Sequence, residues 1–208
     1  MTAAPEDVQN KKARTDGLYL VLLGMAIFIS MSFLLVVAGN APLHDFRTAY
    51  YSGACLLQHC DPYSESDIEQ LYSREVPPPA TPDPSRIVVT KNPYLPSAFP
   101  LTVLLALFPE KVGLALWVLI IGGSVLIASV LLWKVGAARV PLAAGLLVCF
   151  LLANSGSLIY FANPAGFVVP FCILATLSFL HDRFVRVGMV CFAVSLAFKP
   201  HDGGLIWL

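Results

Sequence analysis

The sequence predicts an all-α protein that crosses a membrane several times. Of its 208 residues, 57% are hydrophobic and 12% are charged, whereas ordinary soluble domains have about 45–50% apolar and about 25% charged residues. The apolar residues are gathered in long runs, which is typical of helices that span a bilayer. The formal net charge is zero and the basic residues are scattered, so we expect no nucleic-acid partner.

The first apolar run, residues 18–39, predicts the first transmembrane helix. Its 22 residues, at about 1.5 Å per residue, cross about 30 Å of hydrocarbon. Lys11, Lys12 and Arg14 precede the run, which predicts that residues 1–17 are a cytoplasmic tail. The run is too long for a cleaved signal peptide, whose apolar core has about 7–15 residues.

Residues 40–92 predict an extracytoplasmic loop with two short amphipathic helices. Phe46, Tyr50, Ala54 and Leu57 recur at helical spacing, which indicates a first helix of about 14 residues lying at the membrane surface.

A second helix and a tether complete the predicted loop. Ser66, followed three residues later by Glu69, fits a capping box, and Ile68 and Leu71 give the helix an apolar edge. The proline-rich residues 76–84 then predict an extended tether.

Residues 93–208 predict a bundle of transmembrane helices. Runs 112–133 and 140–161 are long enough to span, whereas 94–108, 166–180 and 187–198 are shorter. The chain stops inside an apolar run at 203–208, so we expect a truncated bundle, the N-terminal part of a larger protein.

Segment 94–108, which is framed by prolines, leaves two topologies open. If it crosses the membrane, Lys134, Arg139, Arg183 and Arg186 face outward. If it enters and returns, all four face the cytoplasm, as the positive-inside bias prefers. We favour the second topology, because it also brings Asn163 and the cluster 199–202 to the face of Asp45.

The cysteines indicate no metal or cofactor. Cys149, Cys172 and Cys191 lie in apolar runs and are expected to pack there. Cys55 and Cys60 are five residues apart. One continuous helix would hold their Cα atoms beyond the roughly 7 Å that a disulfide allows, whereas a helix break near position 61 would permit it. No His or Cys set has metal-ligand spacing, so we expect no cofactor.

Asp45 is the first candidate for chemistry, because it opens a polar loop in a very apolar chain. In the simpler interpretation it is the N-cap of a helix at 46–59, a role that Asp fills well. In the functional interpretation it is a general base at the edge of the bilayer. The two roles are compatible, since a cap also holds its carboxylate in place.

Other polar residues near the predicted membrane surface are candidates for binding a phosphate. Lys199 ends an apolar run and is followed by His201. Its ammonium either reaches for the interface or binds a phosphate as a point charge. Arg47 lies close to Asp45 in sequence and either binds the same group or pairs with acidic neighbours. Asn163-Pro164 is most simply a turn between two apolar runs.

The order of several short motifs resembles a known enzyme family. They are Asp45-Phe46, Tyr50, Asp61-Pro62-Tyr63, Tyr94-Leu95-Pro96, Pro109 and Lys199-Pro200. Over residues 18–202 this pattern resembles the polyprenol-phosphate-mannose-dependent, alpha-1,2-mannosyltransferase-like group of the GT-C glycosyltransferase superfamily. The family often has a Gly-Gln-x-Asn turn where residues 162–165 read Ala-Asn-Pro-Ala, and it is roughly twice as long.

The resemblance implies a GT-C-like fold and a catalytic aspartate in the first external loop, which Asp45 matches. It implies a multi-pass cell-membrane protein that moves a hexose, mannose in that family, at the extracytoplasmic face. The donor would be a polyprenyl-phosphate sugar and the acceptor a lipid or glycan. Arg47, Tyr94, Asn163, Lys199 and His201 are the expected substrate- or phosphate-binding residues.

Two alternatives stay open at this point. One is half of a transporter or flippase, which proline-broken segments suit. The near absence of ionisable residues from the spans argues against it. The other is a non-catalytic membrane subunit. The sequence has no nucleotide-binding motif, which agrees with a lipid-linked donor.

Overall fold

The computed structural model describes residues 5–37, 43–75, 89–182, 184–201 and 204, with the backbone alone at 5–8 and 37. These residues contain α-helices and no strand, which confirms the predicted all-α class. The predicted tether at 76–84, the end of the first apolar run, Arg183 and Asp202 lie outside the described residues.

The helices of the described residues follow one another in a simple order. They are α1 (Pro5–Val37), α2 (His44–Leu57), α3 (Glu65–Glu75), α4 (Phe99–Ala106), α5 (Glu110–Gly136), α6 (Pro141–Asn154), α7 (Gly156–Tyr160), α8 (Ala165–Leu180) and α9 (Val185–Phe198). A 3-10 turn at Pro96–Ala98 leads into α4.

Three helical stretches of the described chain are long and apolar enough to cross a membrane. They are Gln9–Val36, Glu110–Gly136 and Pro141–Tyr160, the last of which includes α6 and α7. Large apolar side chains on them face outward, such as Leu119 at 70% exposure and Phe150 at 66%. A lipid environment removes the cost of exposing such side chains, so the surface agrees with a membrane protein. The apolar helices α8 and α9 are shorter.

Helices α1 and α6 cross with their backbones in close contact. A Cβ added to Gly145 would lie 2.5 Å from the carbonyl oxygen of Gly17, and one added to Gly24 would lie 2.8 Å from the Cα of Cys149. Small residues at such crossings let membrane helices approach closely enough for extensive van der Waals contact. The glycines on this face of α1 therefore set the distance between the two helices.

One end of the bundle, here named the Lys134 end, gathers basic residues. Gly17 of α1 lies against Trp133 near the end of α5 and Pro141 at the start of α6. Lys134 follows Trp133 directly. The basic residues that precede Gly17 in α1 and the Lys134 region therefore share one end of the bundle.

The opposite end, here named the Asp45 end, carries the short helices α2 and α4. Gly53 of α2 lies against the backbone of Thr102 in α4, 2.5 Å from an added Cβ to its oxygen. The Tyr50 hydroxyl donates to the Phe108 carbonyl at 2.7 Å. Tyr63, just past α2, donates to the carbonyl of Tyr94 at 3.2 Å. Both ends of segment 94–108 thus lie beside the α2 region.

The predicted capping roles of Asp45 and Ser66 are wrong. Helix α2 begins at His44 after a left-handed Leu43 (φ 50°), without a side-chain cap, so Asp45 lies inside the first turn and its carboxylate is available to another element. In front of α3 the cap is Ser64, whose Oγ accepts from the Asp67 amide at 3.3 Å. The sequence places two serines two residues apart, and the helix starts after the first of them.

Cys55 and Cys60 form a disulfide with their Cα atoms 5.0 Å apart. Helix α2 ends at Leu57 and His59 adopts a positive φ of 61°, so the chain turns back and brings the cysteines together. A carboxylate oxygen of Asp67 lies within 4.8 Å of both sulfur atoms. The disulfide joins the end of α2 to the residue after the turn, and so it fixes the turn that leads to Tyr63.

Candidate functional site

Three predicted site residues from distant parts of the chain meet at the Asp45 end. The Nδ2 of Asn163 donates to Oδ2 of Asp45 at 2.6 Å. The ammonium of Lys199 donates to Oδ1 of the same asparagine at 3.2 Å. Asn163 therefore bridges a carboxylate at the start of α2 and an ammonium at the end of α9. We call these three residues the polar cluster.

The turn between α7 and α8 holds the Asn163 amide in one orientation. The backbone N–H of Asn163 donates to the Leu158 carbonyl at 2.9 Å. Its Oδ1 accepts from the Ala165 amide at 2.8 Å as well as from Lys199. Because a backbone N–H only donates, Oδ1 must face Ala165 and Nδ2 must face Asp45. The predicted turn at Asn163-Pro164 is thus also part of the site.

The environment makes Asp45 more basic than an ordinary aspartate. Burial raises the pKa of this half-buried carboxyl above 3.8, because desolvation disfavours its charged form. The charge of Lys199, the hydrogen bond from Asn163 and the charge of His44 act in the opposite direction. The carboxylate is therefore a stronger proton acceptor than a solvated one, while nearby donors still stabilise its ionised form.

Tyr94 lies close to Asp45, as predicted for a member of the same site. Its side chain is 6% exposed. Burial, followed by the Asp45 charge, raises the pKa of its phenol, so the hydroxyl stays protonated. The Tyr94 ring packs edge-on against Phe198 with centroids 5.7 Å apart. The structure thus brings four of the six predicted site residues together.

The structure contains an apolar cavity of about 350 Å³. It lies between α4, α5, α8 and α9, and Trp117 and Phe198 form part of its wall. Phe198 is the residue directly before Lys199. An amphiphile with a phosphate beside Lys199 would have an apolar chamber within reach of its lipid chain. The remaining lining residues are Leu101, Leu104, Leu105, Phe108, Leu116, Ile120, Phe167, Phe171 and Val194.

Arg47 pairs with an acidic residue at the start of α5, and His201 is exposed. Arg47 forms an ion pair with Glu110, Nε to Oε1 at 3.0 Å, and its guanidinium lies over the Tyr72 ring at 5.7 Å. Arg47 thus links α2 to the start of α5. His201 lies two residues past Lys199 and is exposed. A role in phosphate binding stays a prediction for both residues.

Sequence reasoning missed two residues of this region. His44 lies next to Asp45, and its charge lowers the pKa of that carboxyl. Trp117 donates from Nε1 to the carbonyl of Ala162 at 2.8 Å and so contacts the turn that carries Asn163. The sequence did contain a signal for Trp117, because a tryptophan buried in an apolar helix needs an acceptor for its indole N–H.

No protein-family model, curated protein or solved structure matches this chain. The resemblance to the mannosyltransferase-like group therefore stays a prediction from motifs.

Proposed function

We propose that the protein is an integral-membrane glycosyltransferase, which moves a hexose from a polyprenyl phosphate to a hydroxyl of a lipid or glycan acceptor. The observation that carries this proposal is the polar cluster, in which Lys199 directly follows a residue of the apolar cavity wall, Phe198. A lipid-linked sugar phosphate is an apolar chain joined to a charged head. A base, a cation and an apolar chamber are the groups that its transfer reaction needs.

In the proposed reaction Asp45 takes the proton of the acceptor hydroxyl as its oxygen attacks the anomeric carbon. The bond between that carbon and the phosphate oxygen breaks, and its electron pair leaves with the polyprenyl phosphate. A single displacement inverts the anomeric centre. General base catalysis of this kind contributes roughly 10²- to 10⁴-fold.

Lys199 is the cation that stabilises the departing phosphate. The leaving group gains negative charge in the transition state, and an ammonium fixed nearby stabilises that charge most where water is excluded. Asn163 holds Lys199 and Asp45 in one hydrogen-bonded array. The protonated Tyr94 hydroxyl is a further donor for an oxygen of the sugar or the phosphate.

The positive-inside bias orients the proposed enzyme. Lys11, Lys12 and Arg14 precede Gly17 in α1, which lies at the Lys134 end. Basic residues favour the cytoplasmic side, so the Asp45 end faces the extracytoplasmic side. The Cys55–Cys60 disulfide at the Asp45 end agrees with this orientation, since disulfides persist in oxidising compartments.

A transfer assay with purified protein tests the proposal. The protein is supplied with a labelled hexose on either a polyprenyl phosphate or a nucleoside diphosphate, together with membrane lipid or glycan acceptors. We expect transfer from the polyprenyl donor alone, with inversion at the anomeric carbon. Transfer from the nucleotide donor, or no transfer from a panel of polyprenyl-phosphate hexoses, would contradict the proposal.

We expect Lys199→Gln to move the acid limb of the pH–rate profile for transfer to higher pH. The rate rises as Asp45 loses its proton, and the Lys199 charge lowers the pKa of that carboxyl. Removing the charge therefore raises this pKa, so a higher pH is needed to form the base. The measurement is the transfer rate of both proteins across the acid range. Lys134→Gln, at the opposite end of the bundle, is the matched control, and an unmoved or lowered limb in Lys199→Gln would refute the assignment.

A further inference from the structure

Trp117 contacts the sequence neighbours of all three residues of the polar cluster. Its ring centroid lies 5.9 Å from the ring centroid of Phe46, which follows Asp45. Its indole N–H donates to Ala162, which precedes Asn163. Its ring lies 5.7 Å from that of Phe198, which precedes Lys199. One side chain of α5 thus touches each of the three chain segments that build the cluster.

The contact with Ala162 bears directly on backbone geometry. Ala162 has a φ of 51°, in the left-handed region that a residue with a Cβ rarely adopts. Such a conformation persists only where the surroundings over-determine it. Trp117, which is 2% exposed, supplies a buried donor to the carbonyl of that same residue. This hydrogen bond therefore stabilises the conformation that aims Asn163 at Asp45.

The rings around Trp117 leave it little freedom to move. Phe167, in α8, packs edge-on against the indole with centroids 5.1 Å apart, and it also packs against Phe198 at 5.1 Å. Edge-to-face contacts of this kind are directional. The indole is thus fixed by α2, α8 and α9 together, so it can transmit a fixed geometry to the cluster.

We infer that Trp117 is the positioning residue of the polar cluster, which sets Asp45, Asn163 and Lys199 relative to one another without contacting the reacting atoms. The consequence for transfer rests on the proposed function, whereas the positioning itself does not. Trp117 also forms part of the cavity wall. A lipid chain in the cavity therefore contacts the residue that holds the polar groups in place.

Hydrogen exchange tests the positioning without any donor. Trp117→Phe keeps an aromatic ring but removes the indole N–H. Losing one buried hydrogen bond should speed amide exchange roughly tenfold. We expect this change in peptides covering 158–166, including the amides of Asn163 and Ala165. Trp133→Phe, a buried tryptophan at the Lys134 end of the same helix, is the matched control. Unchanged exchange at 158–166 in Trp117→Phe, or equal increases in both variants, would overturn the inference.

A second measurement leaves Trp117 intact and so does not depend on the folding of its variant. In protein labelled with ¹⁵N-tryptophan, Asn163→Ala should shift the indole signal of Trp117 and leave that of Trp133 in place. An unmoved Trp117 signal would contradict the inference.

Kinetics then connect the inference to the proposed reaction. With an active enzyme, Trp117→Phe should lower kcat roughly tenfold with little change in KM, because the reacting groups are misplaced while the substrate still binds. In protein that already carries Asn163→Ala, adding Trp117→Phe should lower kcat little further. Full additivity of the two changes would show that Trp117 does not act through Asn163. Absence of transfer by the wild-type protein would refute the proposed function and leave the exchange result standing.

Discussion

Asp45→Asn should lower the transfer rate roughly 10²- to 10⁴-fold, because an amide cannot take the proton from the hydroxyl of the acceptor substrate. The same change should leave the folded protein as stable as the wild type, or more stable, at neutral pH. Burial raises the pKa of Asp45, so its stabilising contribution is present at acid pH and is lost as the pH rises through the folded-state pKa. A neutral amide does not incur this loss.

A loss of transfer without a loss of stability would identify Asp45 as a catalytic residue and not a structural one. The measurements are the transfer rate with a polyprenyl-phosphate hexose and the thermal unfolding of the same preparations. Asp182→Asn is the matched control, since Asp182 is exposed in the turn between α8 and α9. Transfer by Asp45→Asn at the wild-type rate would remove Asp45 from the mechanism. A large loss of stability would instead assign it a structural role.

Gly145→Ala should destabilise the bundle by roughly 1–3 kcal/mol, the usual effect of forcing extra atoms into a packed contact. The added Cβ would lie 2.5 Å from the Gly17 oxygen and 2.6 Å from its Cα. Both atoms belong to the backbone, so neither can rotate away, and α1 and α6 must separate. Thermal unfolding in detergent measures the change.

Gly123→Ala supplies a sharp control for that prediction. A Cβ at Gly123, in α5, meets nothing within 4 Å. Alanine is the better helix former by about 1 kcal/mol, so this variant should be as stable as the wild type or more stable. Equal unfolding temperatures for the two alanine variants would show that the crossing of α1 and α6 tolerates a methyl group, contrary to this account.

The helices of the bundle were predictable because hydropathy alone marks them. The run 112–133 became α5 (Glu110–Gly136), and 187–198 became α9 (Val185–Phe198). The start of α2 was not predictable to the residue. Leu43 takes a left-handed conformation there, which moved Asp45 from the cap position into the first turn. A cap motif marks where a helix can begin, and tertiary contacts decide where it does begin.

The members of the site were predicted one at a time, but their meeting was not. Asp45 and Asn163 are 118 positions apart in the chain. They meet because α5 runs from the Asp45 end of the bundle to the Lys134 end, and α6 and α7 return to the Asp45 end. Arg47 looked equivalent to Lys199 as a cation. The structure pairs it with Glu110, a choice that depends on where α5 begins.

Photocrosslinking with a diazirine-bearing polyprenyl phosphate tests most directly the central claim that the polar cluster and the cavity form one lipid-phosphate site. We predict adducts on the cavity wall formed by α4, α5, α8 and α9. Unlabelled polyprenyl phosphate should compete for them, and Lys199→Gln should weaken them. Adducts confined to the Lys134 end, or adducts on the cavity wall that polyprenyl phosphate does not displace, would contradict the account.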